Sequence, residues 1–273
     1  MNNVVVIIPA YCESLTKYEL SSLKQCNTIL KRYPRILVCH SALNVSNYKE
    51  HVPDLKFEYF GKENFKDVEG YNRLLLSFEF YERFKDFEYI LIYQLDAWVF
   101  RDELDYWCQK GYDYIGAPWF DEFGTYEKGN KLWAVGNGGF SLRKIASFLD
   151  IFYSKNRLFK ISALETNYPK KRGIISTLKR NLIISLKMLG FKNTTNYYIQ
   201  SYKYGEDTFW SIFLKKSEMP MKIPLCEEAS NFSFEKSPMY LYEITGNRLP
   251  FGCHAWQKHE YNKFWKDFIR EID

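Results

Sequence analysis

The chain has 273 residues, with 38 Lys and Arg against 33 Asp and Glu for a net charge of +5. That length buries a full core, and no stretch is long enough and free enough of charge to span a bilayer. Val4 to Ile8, cut short by Pro9, makes no secretory leader, and six cysteines without C-x-x-C spacing exclude a disulfide framework or cysteine zinc site, so reduced thiols in a cytoplasm are expected.

Taken in order, Val4–Ile8 reads as a short buried strand, and Pro9, Ala10, Tyr11, Cys12 and Glu13 form the loop leaving it. Ser14 or Thr16 caps a helix running to about Arg32, which Tyr33-Pro34 ends. Ile36–Cys39 and Lys56–Phe60 are the next strands, followed by a helix from about Tyr71 to Phe84. Tyr89 to Gln94 is almost wholly apolar and β-favouring, as a strand buried on both faces should be. Strands alternating with helices of this length predict an α/β fold with a mainly parallel central sheet.

Past that strand come a short helix near Glu103–Lys110, a strand and turn in Asp113–Pro118, and a polar loop over 121–130. Leu132 to Leu142 is centred on Gly136-Asn137-Gly138-Gly139, where missing Cβ atoms let a ligand or another backbone approach; a plain glycine hairpin is the alternative. A helix begins near Arg143, an amphipathic one covers Ile174–Leu189, and another runs from Glu206 to Lys216 with its acids at the positive end of the dipole. Strands are expected over Pro220–Glu235 and a closing helix over Tyr261–Ile272. Between Lys155 and Lys192 ten Lys or Arg stand against one acid, Glu165. This basic helical insertion reads either as a solvated face or as one for an anionic membrane surface or a phosphorylated lipid acceptor, and no nucleic-acid motif accompanies it.

Asp96 stands just past the strand ending at Gln94, where open α/β sheets collect ligands. Two readings of it stand at this point, a helix or turn cap and a carboxylate that holds a metal or charged substrate. Aromatics make up 19% of the residues, which suits ring-stacking clefts and packed cores alike.

Together, Tyr93-Gln94-Leu95-Asp96, Asp113-Tyr-Ile-Gly-Ala-Pro118, Gly136-Asn-Gly-Gly-Phe-Ser-Leu-Arg143 and Glu206-Asp207 resemble a group of bacterial glycosyltransferases of undefined substrate with the GT-A fold. Tyr71-Asn72-Arg73, Asp96, the paired glycines, Gly205-Glu206-Asp207 and a late His254 are more distantly similar to metal-dependent galactosyltransferases. The resemblance implies one catalytic domain over 1–273, with a nucleotide-sugar half (1–118), an acceptor and catalytic half (119–154 and 196–273) and the insertion (155–195). It implies hexose transfer from a nucleotide sugar, with UDP as the expected nucleotide, to a saccharide or lipid-linked glycan. Asp207 would be the base of an inverting displacement and Glu206 would hold the acceptor. Asp96 and His254 would bind Mn2+ or Mg2+. Gln94 stands where the Asp-x-Asp motif has its first acid, which weakens the expectation of a metal. Pro9, Ala10, Tyr11, Glu13, Arg73, Gln94, Asn137, Gly138 and Gly139 would bind the donor, and Trp119, Trp133 and Trp256 are candidate acceptor platforms. The expected location is the cytoplasm, at the inner membrane face. Competing readings are a nucleotidyltransferase, opposed by the lack of glycine between Pro9 and Leu15, and a carbohydrate- or nucleotide-binding protein without turnover, which Gln94 keeps in play.

Overall fold

The computed structural model describes residues 3–121, 124–127, 131–169 and 173–270. Parts of the polar loop over 121–130, the basic run Lys170-Lys171-Arg172 and the last residues of the closing helix lie outside them. In chain order the strands are β1 (Val4–Pro9), β2 (Arg35–His40), β3 (Lys56–Phe60), β4 (Tyr89–Tyr93), β5 (Trp98–Val99), β6 (Tyr114–Ile115), β7 (Ala117–Phe120), β8 (Leu132–Gly136), β9 (Phe140–Lys144), β10 (Ser233–Phe234) and β11 (Gly252–Cys253). The central sheet has the order β3-β2-β1-β4-β9-β6. Its first four strands are parallel, β9 runs against them, and β6, antiparallel to β9, returns to their direction.

The β-branched run of β1 is buried on both faces. Because side chains alternate along a strand, Val4, Val6 and Ile8 join Leu23 and Cys26 of helix Lys17–Ile29 in one core, while Val5 and Ile7 join Leu74, Phe80 and Phe84 in the core on the other face. A third cluster packs Trp98, Phe120, Phe234, Trp256 and Trp265 beyond the sheet. The mixed α/β architecture, with a mostly parallel sheet flanked by helices, is the one expected.

Several elements differ from the sequence reading, one being the helix expected over Glu206–Lys216, which ends at Ser211 and is followed by a 3-10 turn, Phe213–Lys216. The helix anticipated over Tyr71–Phe84 is two, Val68–Leu75 and Phe78–Arg83. Ser77 divides them by accepting from Phe80 N–H and donating to the Leu74 carbonyl, a local exchange that competes with the helical ladder. Pro220–Glu235 holds a helix, Cys226–Phe232, before the two residues of β10; Glu227 and Glu228 favour its first turn through the dipole. The closing helix is reduced to a 3-10 turn, Trp265–Asp267. The glycine turn is no hairpin, since β8 pairs with β7 while β9 pairs with β4 and β6. Gly136–Gly139 therefore joins two sheets, and Asn137 takes a left-handed φ of 74° to do so.

Candidate active site

The site gathers at the carboxyl end of β4. Beyond Tyr93 the chain turns tightly, with Ala97 N–H donating to the Gln94 carbonyl at 2.8 Å and Ser22 Oγ holding the Ala97 carbonyl at 2.7 Å. Gln94 N–H donates to the Gly139 carbonyl at 2.9 Å, which fixes the glycine turn alongside. A small sheet of order β10-β11-β5 supplies the rest. β10 and β11 are parallel and β5 opposes β11 with Trp98 across from Cys253. The residues after β10 and β11 and those before β5 thus share one edge, which brings Glu235, His254 and Asp96 together.

His254 is the hub of that edge. Its Nε2 lies 3.1 Å from Asp96 Oδ1 and 3.2 Å from Gln94 Oε1, and its Nδ1 lies 3.3 Å from Glu235 Oε1. Lys258 Nζ donates to Asp96 Oδ2 at 2.8 Å. Burial alone would raise the Asp96 carboxyl, but His254 and Lys258 outweigh it and hold Asp96 well below the usual carboxylate range. Burial disfavours charge on the imidazole, yet Asp96 and Glu235 together lift His254 to about 9.

Gly138 and Gly139 are closely approached by side chains. A Cβ on Gly139 would stand 2.1 Å from His254 Nε2, and one on Gly138 2.3 Å from Glu206 Oε1. Asn137 is buried, accepts from Gly139 N–H through Oδ1 at 3.1 Å and leaves its Nδ2 without a partner. On the far side of the turn begins helix Glu206–Ser211. Asp207 accepts from Gly138 N–H at 3.1 Å and from Thr208 N–H at 2.8 Å, and burial pushes its carboxyl up. Asp207 and His254 thereby flank the same two glycines.

Glu206 is otherwise occupied than in holding an acceptor. Its carboxylate grips Arg143 with both oxygens, at 2.6 and 2.9 Å, and neither side chain reaches solvent. Burial pushes Glu206 up to about 7 while Arg143 pulls it down. Protonating it would strand a guanidinium that does not give up its proton, so the ion pair is the state that persists.

A cleft of about 660 Å³ opens over the ends of β1 and β4. Strand β1 has β2 on one side and β4 on the other, a switch point where such sheets bind ligands. Pro9, Ala10, Tyr11, Gln94 and Asp96 line it, with Lys66 and Lys258 as its cations. Tyr11 is exposed at its edge. Five expected donor contacts do not line it: Arg73 is on the surface, paired with Glu69 one helical turn back at 2.8 Å, Glu13 is exposed outside the cleft wall, and Asn137, Gly138 and Gly139 stand beside His254 and Asp207. Trp256 is buried against Tyr18, Trp98 and Tyr261, and Trp119 is buried against Gly136, so of the three tryptophans only Trp133 presents itself to solvent. Sequence reasoning missed Glu235, Lys66 and Lys258. Lys258 lies four residues after His254, a spacing that carries a signal only on a helix, and the chain there is in turns.

Among the described residues no three His, Cys, Asp or Glu side chains gather as a metal centre. Asp96 and His254 do meet, however, and Gln94 Oε1 adds a neutral third donor. Glu235 on the far imidazole nitrogen is the partner that orients a metal-binding histidine. A carboxylate, an imidazole and an amide oxygen suit a divalent ion whose remaining ligands come from a bound anion.

The sequence profile of a family described as a protein of unknown function (DUF5672) matches residues 54–254, from just before β3 to His254. The chain belongs to that family. The matched span includes Gln94, Asp96, the glycine turn, Glu206, Asp207, Glu235 and His254, and leaves out the Tyr11 loop and Lys258. No curated protein matches the chain. Among solved structures it is similar to mouse xyloside xylosyltransferase 1 in its apo form, at 10% identity over 93% of this chain and 97% of that one, with a TM-score of 0.48. The galactosyltransferase LgtC in complex with donor and acceptor sugar analogs is similar at 10% identity, covering 92% and 86%, with a TM-score of 0.44. Core-mannan synthase A from Aspergillus fumigatus, in a Mn/GDP form, is similar at 11% identity, covering 80% and 70%, with a TM-score of 0.43. A TM-score below 0.5 is too loose a likeness to transfer an activity.

Proposed function

We propose that the chain is a GT-A-type glycosyltransferase that moves a hexose from a nucleotide sugar, with UDP the first candidate, to a saccharide or lipid-linked glycan hydroxyl. The observation that carries this reading is the meeting of Asp96, which lines the strand-end cleft, with His254, and of His254 with Asp207 around Gly138 and Gly139. Glycosyl transfer requires that the leaving diphosphate be neutralised and the acceptor hydroxyl deprotonated, and the site has groups for both. Tyr11 offers a ring for the base, and Lys66 and Lys258 offer positive charge for phosphate oxygens. Lys258 sits on Asp96 and would exchange that carboxylate for a phosphate oxygen as the donor enters. A divalent ion, when bound, would supply further neutralising charge; Asp96, His254 and Gln94 would hold it.

Asp207 is the assigned base. Its raised carboxyl affinity for a proton matches that task. A single displacement with this base inverts the anomeric centre. Glu206 is a positioning residue that holds the glycine turn and Arg143 in register.

Calorimetric titration of UDP with and without Mn2+, on the wild type and on Asp96→Ala, tests the donor site. Binding that Mn2+ strengthens in the wild type alone is expected. Equal binding without metal in the wild type would leave the diphosphate to Lys66 and Lys258, and failure of every nucleoside diphosphate to bind would overturn the reading. Product with retained anomeric configuration would remove Asp207 from its role.

A further inference from the structure

We propose that helix Ile174–Met188 is a docking face for an anionic membrane surface, a function separate from the strand-end cleft. The helix is inverted in its amphipathicity. Its inward side carries Ile184 and two cations that the protein holds: Arg180 Nε donates to the Tyr168 carbonyl at 2.5 Å, and Lys187 Nζ donates to the Lys192 carbonyl at 2.6 Å. Its outward side is apolar. Ile174 is 81% exposed, Leu178 64%, Leu182 61% and Leu189, at the C-cap, 84%. Ile175 and Leu186 are exposed on the same arc, and Phe191 is exposed just past its end. Spacings of four and seven residues place these side chains in one stripe along the helix. Scattered surface leucines are ordinary, whereas a contiguous stripe of this kind marks an interaction surface.

Charge selects the occupant. The section from Lys155 to Lys192 carries ten Lys or Arg and one acid, and that acid, Glu165, faces Arg180 at 3.7 Å. Lys179 and Lys192 are exposed beside the stripe, and Lys170, Lys171 and Arg172 precede the helix in sequence. A second copy of the chain would bring an equally basic segment against this one and be repelled. An anionic leaflet meets both demands at once, taking the apolar side chains to the level of the acyl chains and the lysines at the headgroups. Among the described residues no helix is long and apolar enough to cross a membrane, so the helix would lie in the interface.

The test is flotation of the full chain with vesicles of phosphatidylcholine, with and without phosphatidylglycerol, for the wild type, Leu178→Glu/Leu182→Glu and Lys179→Glu/Lys192→Glu. The wild type should float with the anionic vesicles and be released by salt. The leucine double variant should lose roughly tenfold or more of that affinity, and the lysine double variant should lose part of it, both with unchanged melting curves because the altered side chains are exposed. Equal flotation of the leucine variant and the wild type overturns the proposal. So does equal binding to neutral vesicles. Absence of vesicle binding, with a concentration-dependent dimer that the leucine variant dissolves, would assign the face to a second copy instead.

Discussion

Arg143 and Glu206 hold each other in a buried interior, so the stability of the site depends on both being present. Removing one member of such a pair strands the other, and Glu206→Ala should cost about 3–5 kcal/mol, read as a lowered urea midpoint. Glu206→Gln keeps one acceptor for the guanidinium and should lose less. If Glu206→Gln kept wild-type stability and still lost all turnover, the carboxylate would be acting on substrate and its positioning role would fail. Asp207, beside it, should show the opposite balance. An acid whose pKa is raised on folding is most at home in its protonated form, so its contribution to stability declines as pH climbs from the ordinary aspartate range through the raised value. Asp207→Asn should therefore melt at the same or a higher temperature than the wild type at neutral pH, with the difference closing as the pH is lowered through that window. Transfer should fall by about 10²–10⁴ in the same variant. A destabilised Asp207→Asn enzyme with full turnover would contradict both expectations.

The glycine turn between β8 and β9 is the element on which the two halves of the site meet. A methyl on Gly139 needs the space that His254 Nε2 occupies, and the far end of an imidazole can swing where a backbone cannot. Gly139→Ala should therefore fold at a cost of about 1–3 kcal/mol and lose any strengthening that Mn2+ gives to UDP binding. Titrations indistinguishable from wild type would show that His254 need not stay beside Asp96. The elements that the sequence made readable are those with a period of their own. β1 and β4 are almost wholly apolar, β-favouring runs, β3 has the predicted bounds Lys56–Phe60, and Thr16 caps the first helix through a reciprocal box with Glu19. Asp96, Asp207 and the glycines were legible because each stands at an element's end or in a turn. Glu235 was not, because β5, β10 and β11 are two residues long and so short a ladder has no period to detect. Arg73 was misplaced because helix periodicity gives a residue's angle about the axis and says nothing of what lies across from it.

At the scale of the whole molecule, the basic segment is joined to the rest by a shared core. Leu158, Phe159, Leu164 and Ile184 are buried in the same cluster as Phe209 and Trp210, the residues behind Glu206 and Asp207. The segment's outward apolar stripe, with Ile161 and Ile183, is exposed. Asn193 binds the segment to itself. Its side chain is fully buried, accepts from Phe159 N–H at 3.1 Å and donates to the Phe159 and Lys187 carbonyls at 2.9 and 3.1 Å. A glycan on this asparagine is incompatible with that burial, although Asn193-Thr-Thr fits the acceptor pattern. Asn193→Ala would leave the Phe159 N–H without its acceptor and the Phe159 carbonyl without its donor, each worth about 1–3 kcal/mol when stranded, while the Lys187 carbonyl keeps the Gly190 N–H at 3.0 Å. The variant should melt well below the wild type in calorimetry, and the loss should spread to turnover because Phe209 and Trp210 belong to the helix that carries Asp207. Replacing residues 155–195 by a short flexible linker should have the same consequence in greater degree, giving a protein that exposes Trp210 and fails to unfold cooperatively. A linker variant that melted sharply and retained transfer would make the segment a detachable module after all, and its core contacts incidental to the site.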